Sequence, residues 1–560
     1  MDLALSRRSG RGDAFVTRKL HHFHGGLHLD FHKSMSMREA VERAPLPGQL
    51  VLPLHQHIGE PAEPEVAAGD HVLKGQRIAR ATDYVSAPVH APSSGTVIAI
   101  EDRPVPHPSG LSAPCIVIEP DGQDQWCELR PVADYRKLDR SALRNRIRDA
   151  GIVGMGGAGF PTYIKLNPAQ DHAIETLILN GAECEPYITC DARLMQERPR
   201  EIIEGLKIMR HALHARQCLI GIEDNKPEAI AALREALTAE EATFIEICVI
   251  PTIYPAGGEK QLIKVLTGKE IPRNSLPASM GVICHNVGTA AAVYRAIVHG
   301  EPLISRFVTI TGEACERPRN LEVALGTPVA TLLEAGQCDR EKMAKLILGG
   351  PMMGFELAND TVPVVKTSNC ILALPELRSP SSQPVLPCIR CGECANVCPA
   401  CLLPQQLYWY SRARDMDKVQ DHYLFDCIEC GCCAYVCPSH IPLVHYFRYA
   451  KTEIWAQERE KKKADLARRR HEFRLERLER EKREKEERQR RKKELLKKKQ
   501  AEKGEAVDPK KAAIEAAMQR VKARREQQNA EAQNTETPGE EQQATVDEPD
   551  QKRKQGEHGE

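Results

Sequence analysis

At 560 residues the chain is longer than one hydrophobic core organises, so several domains are expected. Its composition is 41% hydrophobic, with no run near the ~20 apolar residues of a membrane span and no apolar stretch behind MDLALSRRSG, which argues against a spanning or exported chain. The formal charge of +0 is a cancellation: residues 451–560 hold 32 of the 78 Lys+Arg and 26 of the 78 Asp+Glu, a tail of +6 against a body of −6. An acidic body, and a basic tail without interleaved aromatics, speak against a nucleic-acid partner. The 20 cysteines lie scattered outside one cluster, and free thiols in a reducing cytosol are expected.

Residues 1–50 carry a histidine run, His21-His22-Phe23-His24-Gly25-Gly26-Leu27-His28, whose spacing meets no zinc pattern and reads as strand and turn. Short apolar runs broken by Gly and Pro then predict a small all-β unit. Its segments Gly69–Ala79 and Ser86–Val97 resemble the barrel-sandwich hybrid fold of lipoyl and biotinyl carrier domains. Those carriers bear a modified lysine on a hairpin after an Asp. Here Tyr84 follows Asp83, so no swinging arm can be attached and a docking role is expected.

The polar helix expected over Leu143–Asp149 runs into a glycine-rich segment with a formal G-x-G-x-x-G at Gly154, Gly156 and Gly159, and with Gly157 between. A dinucleotide fingerprint should follow a hydrophobic strand, so that reading fails on context. A glycine loop opening a helix still presents bare N–H groups to a phosphate, with Lys165 as countercharge. Buried-strand runs at Glu175–Leu179, Cys218–Ile222 and Phe244–Ile250, with a helix over 226–238, predict a parallel sheet. Asn180, Glu183 and Glu185 fall at a strand's carboxyl end, where such folds place ligands.

Cys388, Cys391, Cys394 and Cys398-Pro399, then Cys427, Cys430, Cys433 and Cys437-Pro438, repeat C-x2-C-x2-C-x3-C-P. Three close thiolates take three corners of a cubane, and the fourth is carried round to the other cluster. We therefore expect one [4Fe-4S] cluster on Cys388, Cys391, Cys394 and Cys437, and another on Cys427, Cys430, Cys433 and Cys398. Zinc sites use ligand pairs across longer loops, and disulfide scaffolds are short secreted chains. Cys401 and Cys432 fall outside the pattern and read as bystanders. Helical spacing between Leu402 and Leu424 predicts a helical module.

Residues 151–165, Asn180–Pro186, the Tyr254–Glu259 turn and Val282–Thr289 resemble the FMN- and NADH-binding subunit of respiratory complex I. With the barrel-sandwich unit and two cluster motifs, residues 13–450 are more similar to the C subunit family of Rnf (Rsx) electron transport complexes. The resemblance implies that Gly154, Gly156, Gly157, Gly159 and Lys165 hold FMN, that Asn180 and Asn286 touch it, and that Glu183 and the catalytic Glu185 face flavin and nicotinamide. Val153, Met155 and Leu166 stand where the complex I pattern has two arginines and an aromatic.

The expected architecture is multidomain α/β: a β-rich barrel-sandwich hybrid domain (1–135), a parallel-sheet flavin/NADH-type domain (136–300), a module (301–378) that resembles the β-grasp following the flavin domain in these families, a helical two-cluster ferredoxin domain (379–450), and a charged helical then disordered tail (451–560). The resemblance implies the function of a peripheral subunit on the cytoplasmic side of an inner membrane. It would use FMN, two [4Fe-4S] clusters and NAD(H) beside partner subunits of a complex that couples electron transfer between NADH and ferredoxin to ion translocation. The alternative is a relay and docking subunit with a vestigial flavin fold. Residues 451–500 hold 22 basic and 12 acidic side chains, suited either to anionic lipid headgroups or to plain solvation.

Overall fold

The computed structural model describes residues 18–169, 173–376, 384–502 and 509–532. In the amino-terminal part, strands β1 (Leu50–Pro53), β2 (His71–Val72), β3 (Gly95–Pro104) and β4 (Ser112–Pro120) form an antiparallel sheet in the order β1-β4-β3-β2. A second small sheet pairs Glu63–Pro64, Arg77–Arg80 and Val89–His90. The period-two side-chain alternation of strands explains why they sandwich. Leu50 and Leu52, opposite Ile118 and Ile116, turn into the main core, while Val51, Cys115 and Val117 form a separate cluster on the other face. Tyr84 stands where a carrier lysine would, and its carbonyl accepts a hydrogen bond from the Tyr163 hydroxyl. The tip that swings in carriers is here fastened to the glycine-rich segment.

Next come α1 (Arg140–Asp149), β5 (Thr176–Gly181), α2 (Cys190–Glu197), α3 (Pro199–Leu213), β6 (Gln217–Glu223), α4 (Pro227–Ala236), β7 (Ile245–Ile250), α5 (Glu259–Thr267), β8 (Val282–Asn286) and α6 (Val287–Tyr294). All pairings of this sheet are parallel, in the order β7-β6-β5-β8. The chain thus moves outward from β5 to β7, then returns to the other side of β5. That reversal between β5 and β8 is a switch point, where the helices diverge and leave a crevice at the strands' carboxyl ends.

A six-stranded sheet follows, with β9 (Ser305–Thr311), β10 (Arg319–Ala324), β11 (Met343–Leu348) and β12 (Cys370–Pro375) in the order β10-β9-β12-β11 and short edge strands at Glu42–Arg43 and Phe355–Glu356. Cys315 and Cys338 form a disulfide in this region, which corrects the expectation of free thiols throughout. A 23-residue separation in sequence hid the pairing, because only the fold returns Cys338 to Cys315 across an isolated bridge.

The cysteine-rich part is helical, as expected, with α7 (Pro404–Ala413), α8 (Met416–Asp421) and the start of α9 (Leu443–Glu502). Leu443, Val444, Phe447, Ala450 and Ile454 of α9 pack into its core. Beyond residue 457 the helix is almost wholly exposed, and Lys463–Glu460 and Arg477–Glu481 pairs decorate it at helical spacing. Residues Pro509–Ala532 form a further helix, α10, where disorder was expected. The reason is local: Lys510-Lys511-Ala512-Ala513-Ile514-Glu515-Ala516-Ala517 is a run of strong helix formers behind a proline at the first position. The rest of the segment expected to be disordered, 503–508 and 533–560, lies outside the described residues. No described helix is long and apolar enough to cross a membrane.

Candidate redox centre

The crevice is walled by the ends of β5 and β8. Asn180 and Asn286 stand opposite each other in register. Asn180 donates to the Gly257 carbonyl at 2.7 Å, and Asn286 caps α6 by accepting from Gly288 N at 2.8 Å while donating to Asp191 at 2.6 Å. The glycine-rich loop lies beside that helix start. Its near end is pinned by Gly154 N to the Phe160 carbonyl (2.8 Å) and Met155 N to the Thr289 hydroxyl (3.0 Å). Its middle is bare: Gly156 backs onto Asn286, and Gly157, at φ 115°, has nothing within 4 Å of where a Cβ would stand. Exposed loop amides next to a helix amino terminus suit a phosphate-bearing ligand such as FMN, so the residues present fit that group.

The other sequence-predicted residues take more constrained positions. Lys165 Nζ donates to Glu259 (2.7 Å) and to the Cys284 carbonyl (2.6 Å), so it reaches a phosphate only by exchanging partners. Glu183, itself at φ 49°, accepts from the amides of Asp191 (2.7 Å) and Ala192 (3.1 Å) in the first turn of α2. Burial pushes its carboxyl up to about 7, against the pull of Lys33. Glu185 accepts from the amides of Met352 (2.7 Å) and Met353 (2.9 Å), and burial raises it too. Gly350 lets this happen, since a Cβ there would lie 2.0 Å from Glu185 Cγ.

Three lysines that sequence reasoning did not single out hold this region. Lys33 Nζ donates to the carbonyls of Glu183 (2.7 Å), Glu185 (3.0 Å) and Ile188 (2.7 Å), clasping the loop that carries both acids. Lys226 donates to the Ala182 carbonyl and Glu223, each at 2.6 Å. Lys366 joins the carbonyls of Pro88 and Gly151, each at 2.7 Å, tying the barrel-sandwich part to the root of the glycine-rich loop. A side chain at Gly151 would meet both Pro88 O and Lys366 Nζ, at 2.7 and 2.9 Å. A lone lysine gives no periodic or motif signal, so nothing in the sequence marked them.

Two neutral histidines line the same junction. His57 Nε2 accepts from the Ala87 amide at 2.9 Å, which leaves Nδ1 to donate to the Ile58 carbonyl at 3.0 Å. Burial, with the Lys366 charge adding, lowers His57 to about 4 and His90 to about 3. Both folded values lie below the ordinary 6.5, so what these two histidines contribute to the stability of the junction is complete above pH 6.5 and drains away as pH falls toward 3. Protection against hydrogen exchange at residues 86–91 and 151–159, corrected for the slower intrinsic exchange at lower pH, is expected to fall at least several-fold between pH 7 and 5; equal protection at both would refute this.

The two cysteine motifs repeat in backbone as well as in sequence. Left-handed residues recur at Arg390 and Glu429 (φ 58° and 58°), Gly392 and Gly431 (85° and 81°), and Cys401 and His440 (52° and 51°). They curl each loop so that its thiols converge. Cys394 senses the thiols of Cys391, Cys437 and Cys388, whereas Cys433 senses those of Cys427, Cys430 and Cys398, and Cys394 beyond them. The fourth cysteine of each motif therefore stands with the other motif's triplet. Cys398, Cys427, Cys430 and Cys433 share a pocket with Leu402, Leu407, Val444 and Phe447. Its one carboxylate, Glu429, is held by Arg448 (2.9 Å) and Lys451 (2.7 Å), leaving soft thiol donors in an apolar wall, which fits an iron–sulfur cluster. Cys401 is exposed, and Cys432 is buried against Tyr254.

Residues 21–123 match the RnfC barrel sandwich hybrid domain family, 147–295 the Nuo51 FMN-binding domain and 384–441 the 4Fe-4S dicluster domain. The chain is 52% identical over 467 residues to the C subunit of the ion-translocating oxidoreductase complex of Serratia proteamaculans (83% of this chain, 66% of that one). It is 51% identical to the corresponding protein of Yersinia pestis bv. Antiqua over 462 residues (82% and 74%). This chain belongs to the C subunit family of ion-translocating oxidoreductase complexes. It spans about three fifths to two thirds of several curated relatives, for example 59% of the Pseudomonas aeruginosa protein. Among solved structures, the H2-reduced NAD+-reducing [NiFe]-hydrogenase is 20% identical, covers 57% of this chain and 63% of its own, and has a TM-score of 0.42. As a member of the C subunit family the chain carries the domains for FMN and for 4Fe-4S clusters.

Proposed function

We propose that this protein is a peripheral electron-transfer subunit of a membrane complex that couples oxidation and reduction to ion translocation, with NADH as the partner at the switch-point crevice. The observation that carries the reading is the continuity of the site: a bare glycine loop and two asparagines at the crevice share one body with eight paired-up cysteines. Bound FMN supplies the conversion between two-electron and one-electron chemistry, and bound clusters carry single electrons onward. The chain's own residues do the rest. Gly154, Gly156, Gly157 and Gly159 offer amides, Asn180 and Asn286 flank the ring position, and Glu183 and Glu185, their carboxyls raised by burial, face flavin and nicotinamide. Cys388, Cys391, Cys394 and Cys437 hold one cluster, and Cys427, Cys430, Cys433 and Cys398 the other. The module over residues 301–378, whose strands make up most of the six-stranded sheet that Glu42–Arg43 completes at one edge, serves as a β-grasp docking module.

Anaerobic NADH oxidation by reconstituted protein with an artificial acceptor tests the reading, and retained FMN with bleaching of the cluster absorbance is the expected result. A specific feature favours a second reading, a non-catalytic relay: Lys165 and Glu183 are already engaged within the chain. Failure to retain FMN or to respond to NADH would select it. Lys165→Ala is expected to weaken FMN by about 1.5–3 kcal/mol, the worth of one charge-assisted contact, while both clusters stay; unchanged flavin content would remove Lys165 from the site.

Attachment to the cytoplasmic face of an inner membrane would come through partner subunits, aided by the basic part of α9 on anionic lipid. Ionic contacts are screened beyond about 8 Å at physiological salt, whereas a packed interface is not. High salt, or removal of residues 451–560, is therefore expected to release only part of the protein from membranes that contain its partners. Complete release by salt would put the attachment on charge alone.

A further inference from the structure

Tyr254 is fully buried, and its hydroxyl donates to the Cys430 carbonyl at 2.6 Å. On the crevice side, Glu185 stands near enough that its charge adds to burial in raising the Tyr254 hydroxyl. Its backbone is fixed on both sides by Leu27, whose N–H and carbonyl pair with those of Tyr254 at 2.8 and 2.9 Å, and the neighbouring Gly26 amide bonds the Val397 carbonyl at 3.0 Å. Gly25 makes this clasp feasible, because a Cβ there would lie 2.5 Å from the Val397 carbonyl. Tyr254, Cys430 and Cys432 share one buried cluster with Cys184 and Met352 at its edge. One side chain thus spans from the acid-bearing loop to a ligand of the Cys427 triplet.

The Cys388 triplet is the more exposed of the two. Cys391 is exposed, Ile389 is 68% exposed, and Val385 and Leu386 beside it are more than half exposed. Among the described residues no hydrogen bond or ion pair joins residues 385–394 to residues 180–186 or 254–259.

We infer that the cluster held by Cys427, Cys430, Cys433 and Cys398 exchanges electrons with the crevice first, that the cluster held by Cys388, Cys391, Cys394 and Cys437 is the outer station, and that Tyr254 is the positioning residue that couples the inner cluster to the crevice. The inference rests on the electron-transfer reading above. Each electron that leaves the crevice reduces the inner cluster, which is reoxidised as the outer cluster is reduced; a one-electron carrier protein at the exposed Ile389 face then takes it. In the opposite direction the same stations run in reverse. Tyr254 contributes in two ways. Its ring holds the triplet against the acid-bearing loop, and its O–H dipole, aimed at the carbonyl of a ligand residue, favours the more negative, reduced state of the inner cluster.

The test is Tyr254→Phe in the full chain with both clusters loaded, since the ring and its packing survive and only the hydroxyl is lost. In a dithionite-mediated redox titration followed by EPR, with signals assigned through Cys398→Ser, the inner cluster is expected to show a reduced-to-oxidised ratio about fivefold lower at fixed potential, the scale of one hydrogen bond. The outer cluster should titrate unchanged. In rapid-freeze samples after NADH addition, the inner signal should precede the outer one in the wild type. A shift of the outer cluster alone, no shift in either, or an outer signal that appears first would each overturn the inference. The dithionite titration needs neither NADH nor flavin, so it measures the effect of Tyr254 independently even where the NADH reading fails.

Discussion

Cys398→Ser is expected to abolish the cluster held by Cys427, Cys430 and Cys433 and to leave the one held by Cys388, Cys391 and Cys394 nearly intact. Iron should fall from about eight toward about four atoms per chain, with one of two EPR signals gone. Proximity in sequence argues the opposite, since Cys398 lies four residues from Cys394 and 29 from Cys427. The physical reason is reach. After three thiolates have wrapped one cubane, the short helix Glu393–Asn396 turns the chain away, and Cys398 comes to rest beside Cys430 in the pocket of the other triplet. Cys401→Ser, three residues on and exposed, is the control and should change neither signal. Loss of the Cys388 cluster alone in Cys398→Ser would show that the ligands are not crossed.

Lys33→Met should loosen the acid-bearing loop more than any single change within the loop itself. The side chain's stem is partly exposed, but its ammonium group sits inside and serves three carbonyls at once, those of Glu183, Glu185 and Ile188. Methionine keeps the length and offers no donor. Buried acceptors left unmade cost about 1–3 kcal/mol each, and with partial access to water for some of them a loss of about 2–4 kcal/mol is expected. The same ammonium is part of what restrains the upward shift of Glu183, so its removal should also make that carboxyl harder to ionise. Raised hydrogen exchange confined to residues 182–188, with lower thermal stability and lower FMN retention, is the expected signature. Wild-type exchange in that loop would show that Lys33 is not its clasp.

Much of the architecture could be read before any coordinates, and the reasons are local. The doubled cysteine spacing is a ligand-geometry constraint written in consecutive residues, the runs Glu175–Leu179, Cys218–Ile222 and Phe244–Ile250 announce a sheet buried on both faces, and the Asp83-Tyr84 pair rules out a carrier lysine. Where local reading failed, it failed on similar grounds: residues 501–560 looked too polar to order, yet alanines and charged helix formers sustain α10, whose residues 510–527 are all exposed.

What the sequence alone determined, then, was the inventory: a doubled cysteine motif, a glycine-rich loop, and where parallel strands lie, because each follows from spacing and periodicity over a few residues. Only the tertiary structure decided how those parts are joined. Lys33, Lys366 and Tyr254 act on residues 150, 215 and 176 positions away, through carbonyls of Glu183, Gly151 and Cys430 that any residue type would supply. A backbone acceptor leaves no trace in composition or motif, so contacts made to it come into existence only when the chain folds back on itself.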